Sequence, residues 1–258
     1  MIYGDYHVHT NHSDGKESVE DMVKAAATLG LKEIAIADHG HGKWIKGLRR
    51  RDYARVRDAV KQAGEENNIR AYFGIEANIT GTRGQIDVRA EDLGELDLLI
   101  CGIHRMVKPA SILSLFGFFI PNYFWSLIRW TPKRRIQKNT DVVIRALTEN
   151  KIDILAHPGR YFKVDVVRIA KTAAQRGTYI ELNGQKISFR PIDFERMASV
   201  GAKFIINSDA HTARRIGNVE RVTEFLKTVD YREGDIVNLK NPFVKLEAKI
   251  IEEVGGSV

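Results

Sequence analysis

The chain has 258 residues, and its 40 Lys and Arg against 33 Asp and Glu give a formal net charge of +7. A composition that is 43% apolar and 28% charged predicts a globular protein with a sizeable core and excludes disordered, collagen-like and coiled-coil classes. One cysteine, Cys101, excludes an internal disulfide framework, and with an N-terminus that lacks an apolar signal region it predicts a cytoplasmic protein.

Seven short runs rich in Ile, Val, Leu and aromatic residues predict β-strands. In chain order they are Ile2–His7, Glu33–Asp38, Ala71–Glu76, Leu96–Ile103, Ile152–His157, Thr178–Asn183 and Lys203–Asp209. Most are almost continuously apolar, which is typical of a parallel sheet that is covered on both faces.

Helical patterns lie between most of these strands. The first, Ser18–Leu29, begins with a capping box from Ser18 to Asp21 and is followed by Gly30. The others are Asp52–Asn67, Thr140–Asn150, Asp165–Arg176, Ile192–Val200, Asn218–Val229 and Lys245–Val254. The alternation predicts a parallel α/β architecture, and seven units favour a barrel over an open sheet.

One apolar and aromatic segment, Pro109–Trp130, breaks this alternation and is followed by Lys133, Arg134 and Arg135. It is too interrupted for a helix that spans a membrane. We interpret it as a lid or oligomer contact, with ordinary core and a membrane-interface segment as the alternatives. We therefore expect one domain over residues 1–258 with an insertion at about 108–135.

Histidines and carboxylates gather at the predicted strand ends, which form one face of an α/β barrel and carry its active site. The candidate metal ligands are His7, His9, Asp14, His39, Glu76, His104, His157, Asp209 and His211. Singly, each could be a core, turn or surface residue; together they predict a metal site. Imidazole and carboxylate donors suit zinc, manganese or iron, and nine donors indicate two to three ions bridged by Glu76.

The motifs that carry these residues resemble those of the PHP (polymerase and histidinol phosphatase) family. They are DYHVHT at 5–10, SDG at 13–15, ADHG at 37–40, GIEANI at 74–79, CGIHR at 101–105, AHPGR at 156–160 and NSDAHT at 207–212. GIEANI, GQID at 84–87 and LDLLICGIH are similar to the YcdX-type phosphatase branch. That branch has a histidine near the Asp14 position, so His12 is an alternative ligand there.

The resemblance implies a distorted (β/α)7 TIM-like barrel and a trinuclear metal centre. The first ion would be held by His7, His9, Glu76 and Asp209, the second by Asp14, His39 and His211, and the third by Glu76, His104 and His157. It also implies hydrolysis of a small-molecule phosphate monoester by a metal-bound hydroxide, which clustered divalent ions would generate near neutral pH.

The substrate phosphate also needs cationic donors, and Arg105 and Arg160 are expected to supply them because they follow ligand motifs. Asp38 or Asp209 could protonate the leaving group, and Asn183 could orient a ligand. The basic balance favours anionic partners. The alternative functions are a nuclease or 3′ phosphate-trimming enzyme on nucleic acid ends, and a non-catalytic module that docks on a membrane or partner through 109–130. The YcdX-type resemblance adds a homo-oligomer as an expectation.

Overall fold

The seven predicted strands are confirmed by the computed structural model, which describes residues 2–44, 46–128, 130–243 and 245–246. The strands are β1 (Gly4–Val8), β2 (Glu33–His39), β3 (Arg70–Asn78), β4 (Leu98–Gly102), β5 (Ile154–Leu155), β6 (Tyr179–Asn183) and β7 (Phe204–Asn207). They form one sheet in sequential order, and every neighbouring pair is parallel.

The sheet closes on itself through the residues that follow β7. Val8 and Ala210 form a parallel bridge. The amide of His9 donates to the carbonyl of Ala210 at 2.8 Å, and the amide of Ala210 donates to the carbonyl of His7 at 3.3 Å. With one two-residue strand and this short closure, the ring is the predicted distorted (β/α)7 barrel.

The helices are α1 (Val19–Thr28), α2 (Tyr53–Glu66), α3 (Ile112–Ser114), α4 (Ile120–Leu127), α5 (Lys133–Glu149), α6 (Val166–Arg176), α7 (Pro191–Ser199) and α8 (Glu220–Leu226). The predicted caps are present: the Ser18 side chain accepts from the amide of Asp21, and Gly30 has φ +80°. The last predicted helix, Lys245–Val254, lies outside the described residues except at 245 and 246.

The barrel interior holds a small apolar cluster that includes Tyr6, Ala35, Tyr72, Ile205 and Phe243. Alternate residues of a strand face the same side. His39 therefore continues the inward row of Ala35, and Glu76 continues that of Tyr72. The interior is thus apolar at one end and lined by ligand-type side chains at the other. The larger cluster packs the outer face of the sheet against the helices.

The segment that breaks the alternation is helical. A π-helix at Leu115–Phe119 joins α3 to α4, and Phe118 and Phe119 are buried on its inner side. Phe118 packs against Phe162, with ring centroids 5.7 Å apart. Among the described residues, none of the helices combines the length and apolar character needed to cross a bilayer.

Candidate metal centre

The carboxyl ends of the strands bring the predicted ligands together around a cavity of about 320 Å³. Among the residues that line it are Asp14, His39, Lys43, Glu76, His104, His157, Arg160, Tyr161, Gln185, Asp209, His211 and Arg215. The convergence follows from the parallel sheet, since all seven strands end on this face. All nine candidate ligands are near one another there, and seven of them are buried.

Four donor atoms form a compact group at β1, β3 and the end of β7. His7 Nε2 lies 3.1 Å from His9 Nε2, 3.3 Å from Glu76 Oε2 and 3.9 Å from Asp209 Oδ1. His9 Nε2 lies 3.6 Å from Glu76 Oε2 and 3.4 Å from Asp209 Oδ1. Donors about 2.0–2.2 Å from one tetrahedral ion are about 3.3–3.5 Å apart. His7, His9 and Glu76 therefore have the spacing of a single metal site, and Asp209 Oδ1 lies beside the two histidines.

Glu76 has its two carboxylate oxygens directed to different histidines. Oε1 lies 2.9 Å from His104 Nε2 and 3.0 Å from His157 Nε2. Oε2 lies near His7 and His9 and 2.8 Å from His39 Nδ1. One carboxylate is thus shared between two sets of imidazoles, which is the arrangement of a bridging ligand.

Asp14 connects the remaining donors. Its Oδ1 lies 3.2 Å from His211 Nε2, and its Oδ2 lies 3.5 Å from His39 Nε2. His9 belongs to this group too, because the ligand atoms of His9, Asp14, His39 and His211 lie within 4.8 Å of one another. Lys43, which the sequence did not single out, places Nζ 2.5 Å from Asp14 Oδ2.

Several buried polar atoms in this group have no hydrogen-bond partner among the described residues. They are His9 Nδ1 and His104 Nδ1, together with His39 Nδ1 and Glu76 Oε2, which face each other at 2.8 Å without the geometry of a hydrogen bond. A buried acceptor or donor without a partner costs about 1–3 kcal/mol. Unpaired nitrogen and oxygen donors at ligand spacing fit divalent cations, so the residues present are suited to the ions that the sequence predicted.

The histidines of the site differ in whether their surroundings raise or lower the pKa of the ring. Burial works to lower the pKa of His39, but Glu76 and Asp14 outweigh it and raise this pKa to about 9. Burial lowers the pKa of His104 to about 4 and, with the neighbouring imidazoles, that of His9 to about 3. Burial alone would raise the pKa of Glu76, but the surrounding histidines hold it well below its usual range. The carboxylate of Glu76 is therefore ionised.

Glu181, in the middle of β6, is a residue of the site that the sequence did not single out. It is buried, and its Oε1 lies 2.6 Å from His7 Nδ1. Its Oε2 accepts from the amide of His157 at 2.9 Å and from Asn183 Nδ2 at 2.8 Å. A carboxylate that holds the second ring nitrogen of a ligand fixes its tautomer and orientation. The available signal was an acidic residue at an inward position of an otherwise apolar strand.

Asn183 and Arg160 both contact Asp209. Asn183 Nδ2 donates to Asp209 Oδ2 at 3.1 Å, and Arg160 Nη1 donates to the same oxygen at 2.7 Å. Arg160 Nη2 also donates to Gln185 Oε1 at 2.8 Å. Asp209 thus has one oxygen bound by donors and the other facing His7 and His9.

Two predicted catalytic residues lie away from the cavity. Arg105 is exposed and donates to Ser126 on α4. Asp38 is buried and accepts from the Thr10 amide at 2.8 Å, the Thr10 hydroxyl at 2.6 Å and the Ser13 hydroxyl. Its carboxyl braces the loop between His9 and Asp14. Neither residue lines the cavity.

Backbone geometry also indicates a functional site at this end of the barrel. His157 and Asp209 have φ of +30° and +54°, in the left-handed region of backbone conformation that residues other than Gly seldom adopt. Such conformations cost on the order of 1–3 kcal/mol each and cluster at active sites. Gly102 supplies space, since a Cβ there would lie 2.9 Å from His104 Cε1 and 3.0 Å from His157 Cε1.

Comparison with known proteins gives a family match and relatives. A family model described as PHP domain matches residues 5–185. The probable phosphatase YcdX of Escherichia fergusonii is 26% identical over 254 residues, which cover 91% of this chain and 89% of that protein. The DNA polymerase/3′-5′ exonuclease PolX of Bacillus subtilis is 27% identical over 233 residues, or 85% of this chain and 36% of that protein.

A solved structure shares the fold. The histidinol phosphate phosphatase of Lactococcus lactis, solved with zinc, L-histidinol and phosphate, superposes with a TM-score of 0.59 at 15% identity. The match covers 89% of this chain and 94% of that one. At this identity the likeness concerns the barrel, and the site rests on the geometry given above.

Proposed function

Because the chain belongs to the PHP domain family, we propose that it hydrolyses a small-molecule phosphate monoester at a centre of two to three divalent metal ions. The predicted relationship to the YcdX-type phosphatases is confirmed over most of both chains, and the chain is a hydrolase of phosphoester bonds. The observation that carries the multinuclear proposal is Glu76, whose two oxygens face different sets of histidines.

The donor groups suggest which residues would hold the ions. We assign His7, His9, Glu76 and Asp209 to one ion, Asp14, His39 and His211 to a second, and Glu76, His104 and His157 to a third. The nitrogen and oxygen donors suit zinc, manganese or iron. When bound, such ions lower the pKa of coordinated water and offset negative charge on phosphoryl oxygens.

The protein itself supplies cations for the phosphate. Arg160, Lys43 and Arg215 line the cavity beside the ligands. Arg160 is held in place by Asp209 and Gln185, which lowers the entropy that its guanidinium would lose on binding an oxyanion. Arg160 therefore keeps its predicted role in our proposal, whereas Arg105 does not.

The substrate pocket extends into an adjoining cavity of about 370 Å³ that shares Arg160, Gln185 and Arg215 with the first. Lys186 and Arg221 also line it, and neither forms an ion pair with a described residue. Glu220 lines the cavity as well, but basic side chains outnumber acidic ones, so a substrate with a further anionic group beside its phosphate suits this lining. The size of the two cavities fits a small molecule.

We propose different roles for the two aspartates that were expected to protonate the leaving group. Only Asp209 lines the cavity, and His7 and His9 keep its pKa low in spite of burial. Asp38 has three donors on its carboxyl and acts as a positioning residue for the loop that carries Asp14.

Turnover of soluble phosphate monoesters tests the proposal. Protein supplied with manganese, zinc or iron should release phosphate from a panel that includes an aryl phosphate, histidinol phosphate and acidic sugar phosphates. His157→Ala should lose this activity, whereas His41→Ala, at an exposed position, should keep it. The absence of phosphate release from every monoester and with every metal would refute the proposal.

The second candidate is cleavage or 3′ trimming of nucleic acid ends, which the PolX relative favours. That activity should fall steeply as salt rises, because the protein would contact several phosphates of the strand. Monoester hydrolysis should depend only weakly on salt. Comparing the two substrates across a salt series separates the candidates.

A further inference from the structure

The helices α3 and α4 and the π-helix between them leave one apolar face uncovered. We call this face the apolar rim; it consists of Ile112, Leu113, Phe116, Ile120, Phe124, Leu127 and Ile128. Ile112, Leu113 and Leu127 are 75–81% exposed, and the other four are 44–62% exposed. The opposite face is also apolar, with Phe118 and Phe119 in the core. Contiguous exposed apolar surface of this kind marks an interaction site.

The whole net charge of the protein lies in the sequence around this rim. Between Asp97 and Asp141 the chain has seven Lys and Arg and no acidic residue. The rest of the chain therefore carries 33 of the 40 basic residues against all 33 acidic ones. Outside this region the protein is formally neutral, so the charge of +7 is a local property.

Three of these cations, Lys133, Arg134 and Arg135, are in the first turn of α5, and that turn contains no acidic residue. Cations at a helix N-terminus oppose the helix dipole, so they weaken the helix rather than support it. Lys133 and Arg134 are exposed and form no ion pair with a described residue. Arg135 Nη1 donates to the carbonyl of Gly117 at 2.8 Å, which holds this turn against the π-helix. These cations thus lie beside the apolar rim, and none of them has a counter-ion within the part of the chain that the structure describes.

The rim is next to the mouth of the metal centre. The hydroxyl of Tyr123 on α4 accepts from the amide of Met106, two residues after His104. Phe162 packs against Phe118 and Tyr123, with centroids 5.7 Å and 5.8 Å away, and it follows Tyr161 of the cavity lining. The segment is therefore fixed to the two loops that deliver His104 and His157.

From the uncovered apolar face and its uncompensated cations, we propose that the apolar rim docks the protein on an anionic lipid membrane surface. A helix that combines Leu, Ile, Phe and Trp with flanking Lys and Arg is suited to the boundary between acyl chains and charged headgroups. Trp125 and Trp130 add the aromatic groups that favour this depth. The three most exposed members, Ile112, Leu113 and Leu127, are aliphatic and offer no stacking platform for bases, and the aromatic members Phe116 and Phe124 are less exposed, which favours lipid over nucleic acid.

Co-sedimentation with lipid vesicles tests the docking. The protein should bind vesicles that contain phosphatidylglycerol and bind phosphatidylcholine vesicles more weakly. In Ile112→Gln/Leu113→Gln/Leu127→Gln, which alters only exposed side chains, the partition coefficient should fall at least about a hundredfold. Lys133→Gln/Arg134→Gln should lower it by roughly fivefold for each charge removed.

Two matched variants serve as controls. Leu29→Gln/Ile192→Gln/Val200→Gln removes exposed apolar groups elsewhere, and Lys24→Gln/Lys61→Gln removes exposed cations elsewhere. Both should bind vesicles like the wild type. In Trp44→Phe only Trp125 and Trp130 emit, and their fluorescence should shift to shorter wavelength when phosphatidylglycerol vesicles are added.

Three results would overturn the proposal. One is no binding to either kind of vesicle. Another is concentration-dependent dimerisation that the rim variant abolishes, without vesicle binding, which would assign the face to a second copy of the chain. The third is preferential binding of a single-stranded oligonucleotide through the same residues. The docking requires no catalysis, so the first two results leave the proposed phosphatase activity unaffected, whereas the third would favour the nucleic acid substrate of the second candidate function.

Discussion

Glu181 holds His7 from behind: its Oε1 lies 2.6 Å from Nδ1, while Nε2 of the same ring faces Glu76 and His9. All four groups that contact Glu181 are donors or a ring nitrogen that donates here: His7 Nδ1, Asn207 Nδ2, the amide of His157 and Asn183 Nδ2. Burial alone would raise the pKa of Glu181, but the charges of His7 and His157 and the hydrogen bond to His7 keep it low. The residue is an ionised acceptor that orients two candidate ligands.

Glu181→Gln should weaken metal binding roughly 10–100-fold. In either orientation the amide turns an NH₂ group toward donors, so the orientation of His7 or of His157 is lost. The metal dissociation constant, measured by competition with a chromophoric chelator, checks this. Glu224→Gln on the exposed face of α8 is the control and should leave the constant unchanged. Equal constants for Glu181→Gln and the wild type would contradict the role of Glu181.

Metal affinity should rise with pH between about 6 and 9. Below its pKa of about 9, His39 in the metal-free protein is protonated, and that proton must leave before the nitrogen can bind an ion. Each proton released raises the apparent affinity up to about tenfold per pH unit. Chelator competition at several pH values measures the slope. His39→Asn should reduce the slope, and an affinity independent of pH would rule out this coupling.

Gly102→Ala should prevent an ion from binding at the metal position that His104 and His157 are proposed to share. The new Cβ would lie 2.9–3.2 Å from His104 Cε1, His157 Cε1 and Glu76 Oε1, so the imidazoles must move. We expect fewer bound ions and a fall in kcat on the order of a hundredfold, as for a displaced reacting group. Metal analysis and steady-state kinetics test this. Gly94→Ala, where a Cβ meets nothing within 4 Å, is the matched control.

Asp38→Asn should separate a positioning role from proton donation. The side-chain amide of asparagine has one acceptor oxygen instead of two, so it cannot keep all the hydrogen bonds from Thr10 and Ser13. The free energy of unfolding should therefore fall by about 1–3 kcal/mol, and metal should bind less tightly at Asp14. If Asp38 only braces the loop, excess metal restores most of kcat. A kcat that stays low at saturating metal and at every pH would instead support a proton donor.

The barrel and its ligand face could be predicted because both follow from simple periodicity. Buried parallel strands are almost continuously apolar, and the ends of such strands share one face. Arg105 shows the limit of sequence proximity. It follows His104 directly, but it lies in the bend beyond the end of β4, where its side chain contacts Ser126 of α4 instead of the cavity. Asp38, one residue before His39, likewise faces the loop.

Loop and interior residues were harder to predict. Lys43 contacts Asp14 because the loop after β2 folds back and forms a bridge between Lys43 and Val107. No local sequence pattern predicts this contact. Glu181 could not be assigned to the site from the sequence, because a single acidic residue in a strand can equally be one member of a structural ion pair. The insertion could be predicted from its composition. Its uncovered face could not, because apolar residues occur on both the buried and the exposed side of the helix, so the sequence does not show which side faces solvent.

The number of metal ions bound by the wild type and by Glu76→Gln tests the central claim most directly. Protein purified without chelator should carry two to three ions for each chain and hydrolyse phosphate monoesters. Because Glu76 is the shared ligand, Glu76→Gln should lose more than one ion together with the activity. A variant that keeps the full complement of ions, or a wild type that binds none and stays inactive with manganese, zinc and iron, would contradict the account.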